Sequence, residues 1–420
     1  MSRTLKWIAF FFIACFVLYD IAVQITPGVL THQIMEAFKI NAAGMGLLSS
    51  FYFWTYLIMQ IPAGMLLDRF NLRRVVILPI LITAFGLLIF STHGSLFTGT
   101  VARFMMGFGT SFAFIAAAKI SSDLFEHRQF SLLIGIIYFM AGCGALVAQV
   151  PLVLMTNHFG WRAALEVFAI AGIVLAILIL LTARYQTKRE NTEHLYYGHG
   201  WLALKAVLRH HQSWAVALVS FFTWGPVMIF AALWAVPFLM QTHNIPKIQA
   251  AHLNSWMWIG LGIGSLAIAV LSRTMKRRKF PMILFSLIGL ASTITLLYDY
   301  NTSFLITAVL MFLAGFGCGT QALTYSVVKD IHHRSHIATA ISFNNMMCIF
   351  AAVLFQPLSG SLITWVTNNQ ALPNTPSYTI TNYHHGLILL PILFALSILC
   401  TLFFVKETHC KPLEPRDNSF

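Results

Sequence analysis

Charged residues are scarce in this sequence. Lys, Arg, Asp and Glu together make up 9% of the 420 residues, whereas soluble globular domains carry roughly a quarter. Apolar residues account for 58% of the chain, and they form uncharged runs of about eighteen residues or more, the length that spans a bilayer. A soluble fold cannot accommodate this ratio. The sequence therefore predicts an all-α membrane protein with many spans.

Several chemical signatures are also missing. The six cysteines show neither the spacing of a metal site nor that of a disulfide framework. No Gly-x-x-x-x-Gly-Lys-Ser/Thr loop is present to hold nucleotide phosphates. Paired carboxylates within the spans are lacking as well. We therefore expect no cofactor, no metal, no ATP hydrolysis and no enzymatic activity.

The net charge of +13 raises the alternative of nucleic-acid binding, which the location of the charges excludes. Most Lys and Arg residues fall on the side of the predicted spans that holds the N-terminus, and only Lys39, Arg162 and Lys247 fall on the other side. Arg103 alone lies inside a span. Because basic loops remain in the cytoplasm, we expect both termini there, an even number of spans and no nucleic-acid partner.

Twelve apolar runs are predicted to span the membrane, six on each side of a basic segment. The first six cover about 7–30, 43–67, 74–92, 97–119, 129–155 and 162–183. The second six cover about 213–240, 252–272, 280–298, 303–327, 338–366 and 385–405. The predicted domains are an N-terminal six-helix bundle, a cytoplasmic linker, a C-terminal six-helix bundle and a cytoplasmic tail, over 1–183, 184–212, 213–405 and 406–420.

The two predicted halves share landmarks, which indicates an internal repeat. Three arginines recur at an offset of 204, and a Gly-Phe-Gly turn recurs at a similar offset. The pairs are Arg69, Arg73 and Arg74 with Arg273, Arg277 and Arg278, and Gly107-Phe108-Gly109 with Gly315-Phe316-Gly317. Gln149-Val150-Pro151 is also echoed by Gln356-Pro357. Two related bundles with pseudo-symmetry are expected from such a pattern.

A polar stretch after the second span carries the most specific signal. It runs Gly64-Met65-Leu66-Leu67-Asp68-Arg69-Phe70-Asn71-Leu72-Arg73-Arg74. This stretch resembles the loop signature between the second and third helices of the major facilitator superfamily of transporters. The resemblance implies a twelve-helix fold of two bundles, transport by alternating access, and a cytoplasmic gate at Gly64, Asp68, Arg69, Arg73 and Arg74.

Other stretches are similar to the bacterial organic-anion branch of that superfamily. They are Leu18-Tyr19-Asp20 through Pro27, Gly46-Leu47-Leu48-Ser49-Ser50-Phe51, and Gln60-Ile61-Pro62-Ala63-Gly64. Ile21 stands where that branch commonly carries an Arg, which argues against a carboxylated sugar as the substrate. The resemblance implies a multi-pass monomer in the bacterial inner membrane.

Asp20 and Arg103 are the main candidates for the substrate and proton pathway, because ionisable residues inside spans are costly. At 1.5 Å per residue, Asp20 lies about 20 Å from the cytoplasmic start of its span and Arg103 about 9 Å from the outer start of the fourth. These depths coincide in a core about 30 Å thick. We expect the two side chains to pair or to face each other, with Arg103 binding an anion and Asp20 exchanging a proton. A permanent, purely structural ion pair is the alternative.

Aromatic and amide side chains in the spans complete the predicted pathway: Tyr19, Gln24, Tyr52, Tyr56, Tyr138, Gln149, Trp224, Trp256, Gln321, Tyr325, Asn344 and Asn345. Hydrogen bonding between helices is the alternative role for each. The Gly225-Pro226 pair after Trp224 predicts a bend in the seventh span. The cluster of His332, His333, Arg334 and His336 is predicted to be a solvated basic loop.

The sequence favours proton-coupled symport, by a secondary transporter, of a small polar or anionic metabolite, such as an amino acid, a nucleoside or a carboxylate. Its expected partners are that substrate, the proton and the lipid bilayer. Export of a drug-like or siderophore-like compound is the alternative, which the many aromatic residues support. A membrane sensor or a membrane enzyme is more distant, since the linker and tail are too short for a signalling domain.

Overall fold

A computed structural model describes residues 3–92, 95–125, 130–182, 204–299, 302–332, 336–367 and 378–411, and all regular elements in these ranges are helices. The first seven are α1 (Arg3–Phe38), α2 (Ala42–Arg69), α3 (Leu72–Ser91), α4 (Leu96–Thr110), α5 (Ala113–Leu124), α6 (Phe130–Val147) and α7 (Val150–Thr182). A short helix, α8, covers 204–209. The chain continues with α9 (His211–Pro226), a π-helical segment (Val227–Trp234), α10 (Ala235–His243), α11 (Lys247–Met275) and α12 (Lys279–Tyr298). The last five are α13 (Phe304–Cys318), α14 (Thr320–Ile331), α15 (Ile337–Thr367), α16 (Ile380–Leu387) and α17 (Leu389–Phe403).

Eleven stretches of the described residues are long and apolar enough to cross a membrane. One of them, Gly135–Thr182, has 48 residues, and at 1.5 Å per residue it is about twice as long as a bilayer core is thick. Gly160 breaks it with φ of 82°, so the stretch supplies two spans. The structure thus confirms the twelve-span all-α fold.

Among the described residues, five spans contain a break where the helix ends and restarts. Two of these breaks lie at Ala148 and Gln149, between α6 and α7, and at Ile388, between α16 and α17. The fourth span divides into α4 and α5 at Ser111 and Phe112, and the tenth divides into α13 and α14 at Gly319. In the seventh span, α9 ends at Pro226 and the π-helical segment follows. Proline lacks an N–H group and its ring displaces the preceding turn, which explains why the predicted bend lies at this position.

Helix lengths show the internal repeat directly. The pairs α4 with α5 and α13 with α14 have 15 and 12 residues in both halves, and α3 and α12 have 20 residues each. Ser95 caps α4 and Ser303 caps α13, each through its side chain. The predicted pseudo-symmetry therefore extends to the capping residues.

The helices form two compact units. Unit 1 comprises Met1–Lys188, Ala232–Ser255 and Gln356–Gly386, and unit 2 comprises Arg189–Ala231, Trp256–Phe355 and Leu387–Phe420. In unit 1, α3 packs against α4 and α7, and α1 packs against α6 and α7. In unit 2, α17 packs against α9 and α12, and α12 also packs against α13. The predicted bundle boundaries at 183 and 213 stay a prediction.

Within unit 1, segments from the second half of the chain form hydrogen bonds with the last turns of α1 and the first residues of α2. The Thr31 hydroxyl donates to the Leu233 carbonyl at 3.2 Å. The backbone N–H of Ala42 donates to the Tyr378 hydroxyl at 2.7 Å, and that of Ala43 donates to Thr364 Oγ1 at 2.9 Å. Hydrogen bonds therefore hold this end of the unit, which we term the closed end, in one arrangement.

Candidate functional site

Asp20 lies on α1 with only 2% of its surface exposed. The Tyr52 hydroxyl donates to Asp20 Oδ1 at 2.6 Å, and the Tyr56 hydroxyl donates to Oδ2 at 3.4 Å. The two tyrosines are one turn apart on α2 and their rings stack with centroids 6.0 Å apart. A buried carboxylate thus has two hydroxyl partners, and the contact with Tyr52 is the shorter.

Arg103 lies on α4 and is 1% exposed. Its Nη2 donates to the Ser49 carbonyl at 3.2 Å, and its guanidinium carbon lies 4.8 Å from the centroid of the Tyr52 ring. The buried Nε has no hydrogen-bond partner among the described residues, so the guanidinium keeps an unused donor.

Tyr52 lies in contact with both charged groups. Its hydroxyl binds the Asp20 carboxylate and its ring face meets the Arg103 guanidinium. No ion pair within 4.0 Å joins these two described side chains. Asp20 and Arg103 therefore face each other as predicted, but the Tyr52 side chain lies between them and they form no direct salt bridge.

Close helix contacts place these side chains. A Cβ atom at Gly107 would overlap the Tyr52 carbonyl, and one at Gly144 would overlap the Leu18 carbonyl. Glycine removes that obstacle and lets backbones touch. Consequently α4 brings Arg103, one turn before Gly107, against Tyr52, while α6 supports α1 two residues before Asp20.

A chain of hydroxyl groups continues from Asp20. Tyr52 Oη lies 2.5 Å from Thr110 Oγ1, and that hydroxyl also lies 2.9 Å from the Met106 carbonyl. With Asp20 protonated, each group can donate to the next, ending at the Met106 carbonyl. With Asp20 ionised, Tyr52 must donate to the carboxylate instead. The orientation of the hydroxyl groups is therefore linked to the protonation state of Asp20.

Unit 2 contains a second polar network made of predicted residues. Gln321 Nε2 donates to the Tyr325 hydroxyl at 2.9 Å, and that hydroxyl donates to Asn345 Oδ1 at 3.0 Å. Asn344 Nδ2 donates to Thr324 Oγ1 at 3.0 Å, and Ser220 Oγ lies 2.6 Å from the same oxygen. These side chains present neutral donors and acceptors, and the network joins α9, α14 and α15.

The remaining predicted pathway residues lie apart from these clusters. Gln149 is buried and accepts a hydrogen bond from Asn254 Nδ2 at 3.1 Å, which is the inter-helix role weighed as its alternative. Tyr138 and Trp256 are exposed, whereas Gln24 and Trp224 are half-buried. Tyr19 is buried on α1.

The predicted gate is described only in part. The side chains of Asp68 and Arg69 lie outside the described residues. Arg73 is half-buried, and its Nε has no partner in the described part of the chain, while Arg74 is exposed. A methyl group at Gly64 would meet no described heavy atom within 4 Å. Gly64 therefore makes no close backbone contact with another helix among the described residues.

Sequence reasoning missed a charged cluster in unit 2. Arg278 Nε donates to Asp330 Oδ2 at 2.9 Å, and Thr408 Oγ1 donates to the same oxygen at 2.8 Å. Glu407 accepts from the backbone N–H groups of Arg278 and Lys279 at 2.8 and 2.9 Å. The internal repeat could have drawn attention to Asp330, because Asp330 occupies in α14 the same position that Asp123 occupies in α5.

His332 does not lie in a solvated loop as predicted. Its Nε2 is 2.9 Å from Ser213 Oγ, its Nδ1 is 2.9 Å from the Val328 carbonyl, and its ring packs against His210. Burial lowers the pKa of His332 below the usual histidine value. His333 and Arg334 lie outside the described residues.

Comparisons with known proteins agree with this architecture. The profile of the Major Facilitator Superfamily matches residues 10–347 and 216–418. GudP of Bacillus subtilis, named a probable galactarate/D-glucarate transporter, is 25% identical over 366 residues, which cover 78% of this chain and 79% of GudP. A gentisate transporter of Corynebacterium glutamicum is 23% identical over 360 residues, 83% of this chain and 80% of that protein.

A solved structure shows the same fold. It is the crystal structure of a bacterial homologue of the human lysosomal transporter Spinster in an inward-facing, unoccupied conformation. The TM-score is 0.76 at 17% sequence identity, and the match covers 96% of this chain and 98% of that one.

Proposed function

This chain belongs to the major facilitator superfamily of transporters, and we propose that it carries a small carboxylate-bearing metabolite together with a proton into the bacterial cell by alternating access. In this proposal both termini lie in the cytoplasm. Arg103 binds the substrate carboxylate and Asp20 binds the proton.

The observation that carries the proposal is the state of Arg103. The guanidinium is almost fully buried, and no carboxylate among the described residues forms an ion pair with it. A buried charge without a counter-ion is strongly unfavourable. An anionic substrate would relieve that penalty, and the unused Nε donor would give a charge-assisted hydrogen bond.

Asp20 supplies a physical reason for proton coupling. Arg103 and Asp20 meet the same tyrosine, so an anion at Arg103 adds negative charge close to the carboxyl group. A nearby negative charge favours the neutral form of an acid. Substrate binding and protonation of Asp20 therefore support each other, and by linkage the coupling is reciprocal.

The substrate class rests on the relatives and on the number of cations. Galactarate, D-glucarate and gentisate, from the names of the relatives, are all carboxylates. In this chain Ile21 follows Asp20, so α1 offers no arginine beside it. The missing arginine counts against sugar acids with two carboxylates, such as galactarate and D-glucarate, and we narrow the objection to carboxylated sugars accordingly. One buried arginine, Arg103, suits one carboxylate group, and we therefore propose a monocarboxylate, a class that includes gluconate.

Alternating access requires the closed end to open. The hydrogen bonds from Thr31 to Leu233, from Ala42 to Tyr378 and from Ala43 to Thr364 must then break. Each is a single bond between neutral groups, with a net worth of about 1 kcal/mol. A small number of such bonds is compatible with a reversible gate.

Uptake into proteoliposomes tests the proposal. The probe is labelled gluconate, and sorbitol, which has a hydroxymethyl group where gluconate has its carboxylate, is the neutral control. We expect an inward proton gradient to drive uptake of gluconate and not of sorbitol. Arg103→Ala should slow gluconate uptake at least tenfold, because a charge-assisted hydrogen bond contributes about 1.5–3 kcal/mol.

Two variants serve as controls. Arg209→Ala removes an exposed arginine on α8 and should leave uptake unchanged. Arg103→Lys keeps the charge and should retain part of the activity. Equal gluconate uptake by wild type and Arg103→Ala would contradict the proposal. Outward movement of hydrophobic cations instead of gluconate uptake would establish the export alternative.

A further inference from the structure

A cavity of about 230 Å³ lies inside unit 1, at the closed end and away from Asp20. It is formed where the last turns of α1 meet α10 and the first residue of α11. Val29, Val236 and Met240 give it apolar walls, and Gln33 and Lys247 contribute polar atoms. Gln33 lies thirteen residues after Asp20, or about 20 Å along the helix, so this cavity is separate from the Asp20–Arg103 cluster.

Two polar atoms of the cavity are buried and lack partners. Neither Lys247 Nζ nor Gln33 Oε1 has a hydrogen-bond partner in the described part of the chain. The neighbouring hydroxyl of Thr31 is already used, since it contacts the Pro27 and Leu233 carbonyls. His32 is at the rim, where its exposed ring lies 3.9 Å from Glu36.

The chemistry of these atoms defines a complementary ligand. A buried ammonium group without a counter-ion favours an anion, and a carboxylate accepts its hydrogen bonds. The free Gln33 oxygen accepts a hydrogen bond, which a hydroxyl group can donate. The volume is below the roughly 300–1,000 Å³ of pockets for drug-sized ligands, which fits a small metabolite.

We propose that this cavity is a second binding site, which takes a small hydroxylated carboxylate at the closed end of the transporter. Lys247 binds the carboxylate, Gln33 accepts from a hydroxyl group, and the apolar walls exclude water. The site is independent of Arg103 and goes beyond the transport function proposed above.

Equilibrium dialysis of labelled gluconate against detergent-purified protein tests this site. Arg103→Ala is the background, because it removes the anion-binding group of the Asp20–Arg103 cluster. We expect this variant to keep saturable gluconate binding that sorbitol does not compete for. Adding Lys247→Gln should weaken that binding at least about tenfold, as expected for loss of a charge-assisted contact.

Matched variants separate the local effect from misfolding. Lys39→Gln removes an exposed lysine at the same end and should leave gluconate binding unchanged, while Lys247→Arg should preserve it. The same comparison in the wild-type background, where Lys247→Gln should halve the stoichiometry, does not depend on the folding of Arg103→Ala. Two results would overturn the proposal: gluconate affinity that Lys247→Gln leaves within about twofold in the Arg103→Ala background, and equal displacement of gluconate by sorbitol. A stoichiometry that Lys247→Gln leaves unchanged in the wild-type background would overturn it as well.

Discussion

Tyr52 contacts both charged groups of the candidate site, the Asp20 carboxylate and the Arg103 guanidinium, through different parts of its side chain. Its hydroxyl binds Asp20 at 2.6 Å and its ring lies under Arg103. The hydroxyl therefore responds to the proton, and the ring responds to the cation. A single substitution can therefore remove the contact with Asp20 and keep the contact with Arg103.

Tyr52→Phe keeps the ring and removes the hydroxyl group. The ionised form of Asp20 then loses its shortest hydrogen bond, so protonated Asp20 should persist to higher pH. We expect the pH profile of gluconate uptake to shift towards alkaline pH by about one unit, since a hydrogen bond to a charged group contributes about 1.5–3 kcal/mol. Initial uptake rates measured between pH 5 and 9 check this.

Tyr56→Phe is the control for that shift. The Tyr56 hydroxyl lies 3.4 Å from the other oxygen of Asp20, and a contact of this length is weak. The Tyr56→Phe profile should therefore stay closer to wild type. Equal shifts in the two variants, or none in Tyr52→Phe, would contradict the role given to the Tyr52 hydroxyl.

Some residues of the site were predictable and others were not. Ionisable residues in apolar spans are exceptional, so Asp20 and Arg103 could be identified from sequence alone. Counting residues gave their depth but not their rotation about the helix axes, and so the intervening Tyr52 ring was not anticipated. Thr110 and the Ser49 carbonyl enter the site only through the contact between α2 and α4, which the sequence does not specify.

At the level of helices, the contact between α1 and α6 positions Asp20. Gly144→Ala would place a methyl group against the Leu18 carbonyl, whereas Gly142→Ala meets no described heavy atom within 4 Å. We expect Gly144→Ala to lower the melting temperature by several degrees and to slow transport, since overpacking costs about 1–3 kcal/mol. Gly142→Ala should match or exceed wild type in thermal unfolding. Equal melting temperatures for the two variants would refute the close contact.

The segment after α17 is fixed to the start of α12 by Glu407. Burial acts to raise the pKa of this carboxyl group, but the backbone N–H groups of Arg278, Lys279 and His409 outweigh it and hold the pKa below its usual value. A group with a lowered pKa stabilises the fold above its unfolded pKa and loses that contribution as the pH falls through the folded value. Glu407 should therefore stabilise the protein at neutral pH and not in acid.

Glu407→Gln tests this contribution. We expect its melting temperature to be a few degrees below wild type at pH 7. The difference should vanish in acid, once the pH has fallen through the lowered pKa of Glu407 in the folded protein. Glu36→Gln, which removes an exposed acid on α1 with a weak contact to His32, should have no effect at either pH. A difference that is the same at both pH values would show that the charge of Glu407 is irrelevant.

Helix positions were predicted better than helix interruptions. Apolar runs fixed the spans within several residues, and the Gly225-Pro226 pair correctly marked a bend. The sequence did not predict the π-helical segment after Pro226 or the positive φ of Gly160. Where a helix loses a backbone hydrogen bond, its conformation depends on which new partners the freed carbonyl groups find. Such adjustments are set by neighbouring helices, and hydropathy carries no information about them.

On the scale of the whole molecule, the proposed alternating access requires the closed end to open. Tyr378→Phe removes the 2.7 Å bond to the Ala42 N–H, which should raise the population in which this end is open. Hydrogen–deuterium exchange of a peptide over 39–45 should then be several-fold faster, as loss of about 1 kcal/mol implies. Tyr383→Phe, which leaves that bond intact, is the control, and faster exchange in both variants would assign the effect to ring packing.

Coupling of proton and carboxylate movement at Asp20 is the central claim, and lumenal pH in proteoliposomes tests it most directly. A gluconate gradient should acidify the lumen in wild type and in Glu36→Gln. Asp20→Asn should still exchange labelled gluconate through Arg103 but should produce no acidification. Acidification by Asp20→Asn at the wild-type rate would contradict the claim and leave Asp20 with a structural role only.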